Sequence, residues 1–136
     1  MNTRRQFRLP NADEVALDQL GLLWETLSVA NRQWVLIHGF AIPEGFVQKV
    51  ADVAIEIPGG YPPGALDMAF FSPFLSMPSA RVIAQTQHTE QIDGKTWQRW
   101  SRHRTAENSW RLGEDSLETH IDYILAFLTA EIGRGR

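Results

Sequence analysis

Apolar and polar residues alternate along four stretches of the chain, and a period of two is the signature of half-buried strands. Trp24 to Val29 is rich in β-formers and runs into a turn at Ala30-Asn31-Arg32. From Trp34 to Phe40, one face carries Trp34, Leu36, His38 and Phe40 and the other Val35 and Ile37, until Pro43-Glu44-Gly45 breaks the run. Val53, Ile55 and Ile57 then alternate with Asp52, Ala54 and Glu56. After the turn-dense Pro58–Gly64 connector, Leu66, Met68 and Phe70 alternate with Asp67, Ala69 and Phe71, and Pro73 closes the pattern. Strands are therefore predicted near 23–29, 33–40, 50–57 and 66–72. Helical spacing marks both ends. Asn11 with Glu14 reads as a capping box, Val15, Ala16 and Leu20 as an apolar side, and Gly21 as a stop. Later, Asp115 with Glu118 precedes Leu117, Ile121, Ile124, Leu128 and Ile132, and Gly133 ends the helix with Arg134 and Arg136 suited to its negative pole.

This order predicts one α+β domain over residues 1–136: a four-stranded antiparallel meander flanked by an N-terminal and a C-terminal helix. Residues 1–10 read as a flexible or extended arm. Between Pro73 and about Gly113 the periodicity fades, and a long irregular segment inside a compact domain points to function.

Charge points to the same segment. The chain carries a formal charge of −3, but Lys95, Arg99, Arg102, Arg104 and Arg111 face only Glu107, so 95–111 is +4 and the remainder −7. Trp97, Trp100 and Trp110, three of the five tryptophans, lie there too. The absence of cysteine excludes disulfides, thiolate metal sites and a cysteine nucleophile in this chain. The spacings of His88, His103 and His120 match no zinc signature, so neither metal nor cofactor is expected. The N-terminal stretch turns polar early, and no apolar run nears the roughly 20 residues that span a bilayer. A cytoplasmic protein with no membrane partner is expected.

The candidate chemistry follows from these residues. His103, between Arg102 and Arg104, is the candidate general base, because imidazole exchanges a proton near neutral pH. Ser101, two residues away, falls on the same side of an extended segment and is a candidate nucleophile. Asp93-Gly94 reads as a hairpin turn. His38 and His120 read as packed histidines on apolar faces. The tryptophans read as rings that pin the segment down or anchor a partner. Arginine with tryptophan also suits nucleic acid, but an acidic chain without a nucleic-acid fold signature favours a protein partner.

Tyr61-Pro62 between two alternating stretches, the Met68-x-Phe70 pair, His88-Thr89-Glu90, Asp93-Gly94 and the later Trp110 together resemble the ubiquitin-conjugating enzyme superfamily. The likeness spans about residues 11–132 and is strongest to a divergent bacterial branch, with IDGKTWQRWSRHR as its most characteristic stretch. It implies the UBC-like fold, with Tyr61, Pro62, His88, Gly94 and Trp110 as its signature. It also implies partners: a ubiquitin-like modifier, a ubiquitin-activating-like enzyme and a deubiquitinase-like peptidase. Trp97 stands at the position of the family's catalytic cysteine, and Thr89 or Glu90 at that of its oxyanion-stabilising asparagine. A carboxylate there opposes a developing oxyanion. The expected function is therefore binding of the modifier or its activating enzyme through Trp97, Arg99, Trp100, Arg102 and Arg104. The alternative is a conjugating enzyme working by a Ser101–His103 oxyester, or by direct transfer, with Asp93 in the site.

Overall fold

Residues 3–134 are described by a computed structural model. In chain order come α1 (Asn11–Gln19), β1 (Trp24–Val29), β2 (Arg32–Ala41), β3 (Val50–Ile57), β4 (Ala69–Ser72), β5 (Thr89–Ile92), β6 (Lys95–Trp100), a 3-10 turn (Ala106–Asn108) and α2 (Leu117–Gly133). The six strands form one antiparallel sheet in the order β1-β2-β3-β4-β6-β5.

The four predicted strands are present, the fourth only over Ala69–Ser72, because Met68 at φ +57° breaks the extended run and Leu66 falls in the opposite core from Phe70. The four-strand count is corrected to six, because the segment read as irregular holds the β5–β6 hairpin. Its turn is Asp93-Gly94, both left-handed (φ +54° and +76°), as a tight hairpin requires. The hairpin hid from periodicity because β6 is covered on both faces: Trp97 enters one core, and Gln98 and Trp100 enter the other. Gln98 is tolerated there because its amide is satisfied by the Leu75 N–H, the Leu75 carbonyl and the Trp100 indole N–H.

One face of the sheet packs on the helices through Val35, Ile37, Ile55, Phe71 and Trp100 against Leu17, Leu117, Ile124 and Leu128. The other curls on itself around Leu27, Trp34, Leu36, Phe70, Ile92 and Trp97. Phe40 is corrected to the helix-covered face. A bulge between Ile37 and Phe40, with Gly39 at φ +73°, rotates it away from Trp34 and Leu36.

Both helices bury a face, but their ends differ from expectation. α1 starts after Pro10 with no side-chain cap. The Glu14 carboxylate instead accepts from Arg8 and from the Leu9 N–H. Its buried residues are Asp13 and Leu17, while Val15 and Leu20 are exposed. The Tyr61 hydroxyl and the Leu117 N–H both donate to Asp13, which draws that face inward. α2 is capped by Ser116 with Thr119, not by Asp115 with Glu118. The expected stripe Leu117, Ile121, Ile124 and Leu128 is buried. Arg136 lies outside the described residues.

The described part of the arm is extended and docked. Arg5 bridges Thr26 in parallel, and Arg4 joins Glu25 (2.8 Å) to Asp93 (2.8 Å). Arg32 likewise joins Glu56 (2.8 Å) to Glu90 (3.0 Å), so two arginines clasp the rolled sheet to the outer hairpin. The Arg4 guanidinium holds the buried Glu25 carboxyl down to about 2, against an ordinary value near 4.5. That contribution is complete above pH 4.5 and is lost as pH falls through about 2. Arg4→Ala is expected to cost on the order of 1–2 kcal/mol near neutral pH. In urea denaturation, the gap to the wild type should narrow as pH falls through that window.

Candidate functional site

The segment that resembles an active site runs from β5 to the start of α2, and most of its marked side chains turn inward. Trp97 is fully buried, and its indole N–H donates to the Ile92 carbonyl at 3.0 Å. Trp100 is buried on the opposite face among Phe46, Phe71 and Phe127, with ring centroids 5.8–5.9 Å away. Neither ring presents a surface, so both are corrected from partner contacts to core residues. In a sheet covered on both faces, consecutive strand positions bury alternately.

Beyond β6 the chain runs along α2. The Arg102 guanidinium lies 4.7 Å from the Trp100 ring centre and donates to Glu131 (3.2 Å) and to the Ala84 carbonyl (3.0 Å). Arg104 is held between the Trp110 and Tyr123 rings (4.9 and 4.7 Å) and donates to the Leu66 carbonyl (3.1 Å). These two arginines, read from sequence as partner contacts, are committed inside the molecule. Arg99 is half-buried, donates to Ser101 Oγ (3.2 Å), and has no carboxylate in ion-pair range among the described residues.

The three catalytic candidates are not brought together. Asp93 sits in the hairpin turn with Arg4, whose guanidinium holds its carboxyl below the usual range. Ser101 Oγ faces Arg99. His103 places Nδ1 2.7 Å from Asp67 Oδ2, and both side chains stay accessible. A ring engaged at Nδ1 leaves Nε2 free, the arrangement of an oriented base. Asp67 escaped sequence reading because it stands 36 residues from His103, beyond any local spacing.

The signature residues form a second, structural cluster. The Tyr61 hydroxyl donates to Asp13 at 2.5 Å, and burial beside that carboxylate pushes it well up from its ordinary value. The Trp110 indole N–H donates to the Pro62 carbonyl, and its ring leans on Tyr61. Together they tie the Tyr-Pro turn to the starts of both helices. His88 is exposed, and its carbonyl accepts from the Arg99 N–H. Glu90, beside it, pairs with Arg32.

His120 is fully buried. Its Nε2 donates to the Met68 carbonyl (2.8 Å), and its Nδ1 accepts from Arg104 (3.1 Å). Burial pushes the ring down to about 4, so it is neutral. The unfolded ring takes up a proton near 6.5. Stability should therefore be complete above that pH and fall toward pH 4, by on the order of 2–3 kcal/mol. His120→Gln should flatten this slope in melting curves taken across the range.

The helix-sheet order, the position of the Tyr-Pro turn and the hairpin at Asp93-Gly94 define a UBC-like α+β protein of the conjugating-enzyme class. The family model described as prokaryotic E2 family E matches residues 9–131, and the chain belongs to that family. No curated protein and no solved structure gave a match. No helix among the described residues is long and apolar enough to cross a membrane. No group of three metal-ligating side chains converges among them either.

Proposed function

We propose that this chain serves a bacterial ubiquitin-like modification pathway by binding the modifier, its activating-like enzyme, or both, in the cytoplasm and without a cysteine thioester. The observation that carries this reading is Trp97. The position that matches the family's nucleophile holds a fully buried indole, hydrogen-bonded to Ile92, in a chain that has no cysteine. Glu90, at the site of the oxyanion-stabilising asparagine, is a carboxylate engaged by Arg32. A Ser101 oxyester lacks support, because Ser101 Oγ faces Arg99 while His103 turns to Asp67. Nucleic-acid binding lacks support too, since Arg102, Arg104, Trp97 and Trp100 are used inside the protein. A deubiquitinase-like peptidase is a further partner of the same pathway.

The test combines the chain with a ubiquitin-like modifier and an activating-like enzyme from the same organism, and with ATP. Saturable binding to at least one of them is expected by calorimetry. No adduct on this chain that hydroxylamine or mild base cleaves should appear on a denaturing gel. Absence of binding to both, or an adduct that disappears in Ser101→Ala, would sink the proposal.

A further inference from the structure

His103 and Asp67 belong to two segments that meet only in the folded chain, and the residues on either side of each are anchored. Around His103, Arg102 is fixed by Glu131 and Ala84, and Arg104 by Leu66 and His120. Around Asp67, the Leu66 carbonyl receives Arg104 and the Met68 carbonyl receives His120. Met68 holds φ +57°, a left-handed conformation that a non-glycine residue keeps only where its surroundings enforce it. The two segments thus brace each other, and the side chains between the braces stay open to solvent, 65% exposed for His103 and 39% for Asp67. Asp67 and Met68 also line a cleft of about 230 Å³ with Glu56, Pro58 and Ala65. A fixed backbone, an oriented imidazole, a free Nε2 and an adjoining cleft are the parts of a general-base site.

We propose that His103 is a general base for acyl transfer and Asp67 its positioning residue. This rests on the pathway reading above, with the acyl donor a thioester of a protein C-terminus formed on another protein and the acceptor an amine. Nε2 of His103 takes a proton from the amine as its nitrogen bonds to the carbonyl carbon. The carbon–sulfur bond then breaks, the thiolate leaves with the electron pair, and the imidazolium returns the proton to it. The products are an amide and a thiol, and no bond to this chain forms at any step.

The probe is N-acetylglycine ethyl thioester with glycinamide as acceptor, with thiol release followed in the presence of the full chain. Acceleration of about 100-fold over buffer is expected. His103→Gln should remove it. Asp67→Asn should lower kcat about 10-fold with KM unchanged, and Asp67→Glu should recover part of that loss, because the carboxylate acts by orienting the ring. Lys49→Ala, an exposed substitution outside the proposed site, should change neither. Equal rates in the wild type and His103→Gln, or an Asp67→Asn kcat equal to that of the wild type, would overturn the proposal. Binding of modifier or activating enzyme to His103→Gln is measured alongside. Binding without thiol release in the wild type overturns the general-base role alone, and thiol release without binding overturns the pathway reading alone.

Discussion

Replacing Trp97 with alanine is expected to destabilise the protein by about 3–5 kcal/mol, a loss typical of deleting a buried aromatic side chain. The ring is fully buried, and it packs with Leu27, Trp34, Leu36, Phe70 and Ile92 inside the curl of the sheet. Its indole N–H also closes on the Ile92 carbonyl, so truncation removes that bond as well as opening a cavity. Damage should begin at β5, a four-residue edge strand whose one sheet partner is β6. Hydrogen exchange should therefore rise first across 89–100, and denaturant unfolding should give the total loss. A Trp97→Ala protein within about 1 kcal/mol of the wild type would show that the curled core does not depend on this ring. Trp97→Cys adds a functional arm, because the resemblance to conjugating enzymes sets Trp97 against their catalytic cysteine. The thiol would lie in an apolar core, where thiolate formation is disfavoured. It should react with a thiol reagent only as fast as the protein opens, and it should accept no modifier.

The parts of the fold that are legible in the sequence are those whose apolar residues recur at a regular spacing. Val53, Ile55 and Ile57 alternate with partly polar neighbours, and the Leu117–Leu128 stripe repeats at helical spacing, so both elements announce themselves. β6 does not, because a strand buried on both sides loses its period of two, and β5 is a four-residue edge strand with only Ile92 buried, too short to set a pattern. Phe40 was misplaced because a bulge at Gly39 shifts the register by one residue, which no alternation rule anticipates. Local patterning also misjudged α1, where Asp13 is pulled inward by Tyr61, 48 residues away.

The candidate site was less legible for a related reason. Residue type marks Arg102 and Arg104 as ready to meet a partner, yet what occupies a guanidinium is decided by distant carbonyls and carboxylates. Leu66 is 38 residues from Arg104, and Glu131 is 29 from Arg102. The same long-range pairing brings Asp67 to His103. The sequence singled out the histidine, but the residue that orients it is visible only in the folded chain.

Glu131 is where these long-range pairings converge, and removing it is the second large effect expected. Its side chain is 3% exposed and receives Arg81 at 2.7 Å and Arg102 at 3.2 Å, while its carbonyl receives Arg81 as well. Glu131→Ala should cost about 3–5 kcal/mol, because it leaves the largely buried Arg102 guanidinium without a counter-charge. Arg81→Ala should cost less, since that side chain is more exposed (27% against 15%) and water can replace its partner. Replacing both ends of the inner pair, Arg102→Met with Glu131→Leu, should recover much of the loss, since no buried charge is then unpaired. Denaturant unfolding of Arg102→Met, Glu131→Leu and the double variant measures the coupling. Additive losses in the double variant would show that the pair is not the cause. The milder Glu131→Gln keeps an acceptor for Arg81 and weakens the hold on Arg102, one of the two braces beside His103. If that brace positions the imidazole, Glu131→Gln should slow thiol release from the thioester probe, lowering kcat while leaving KM in place.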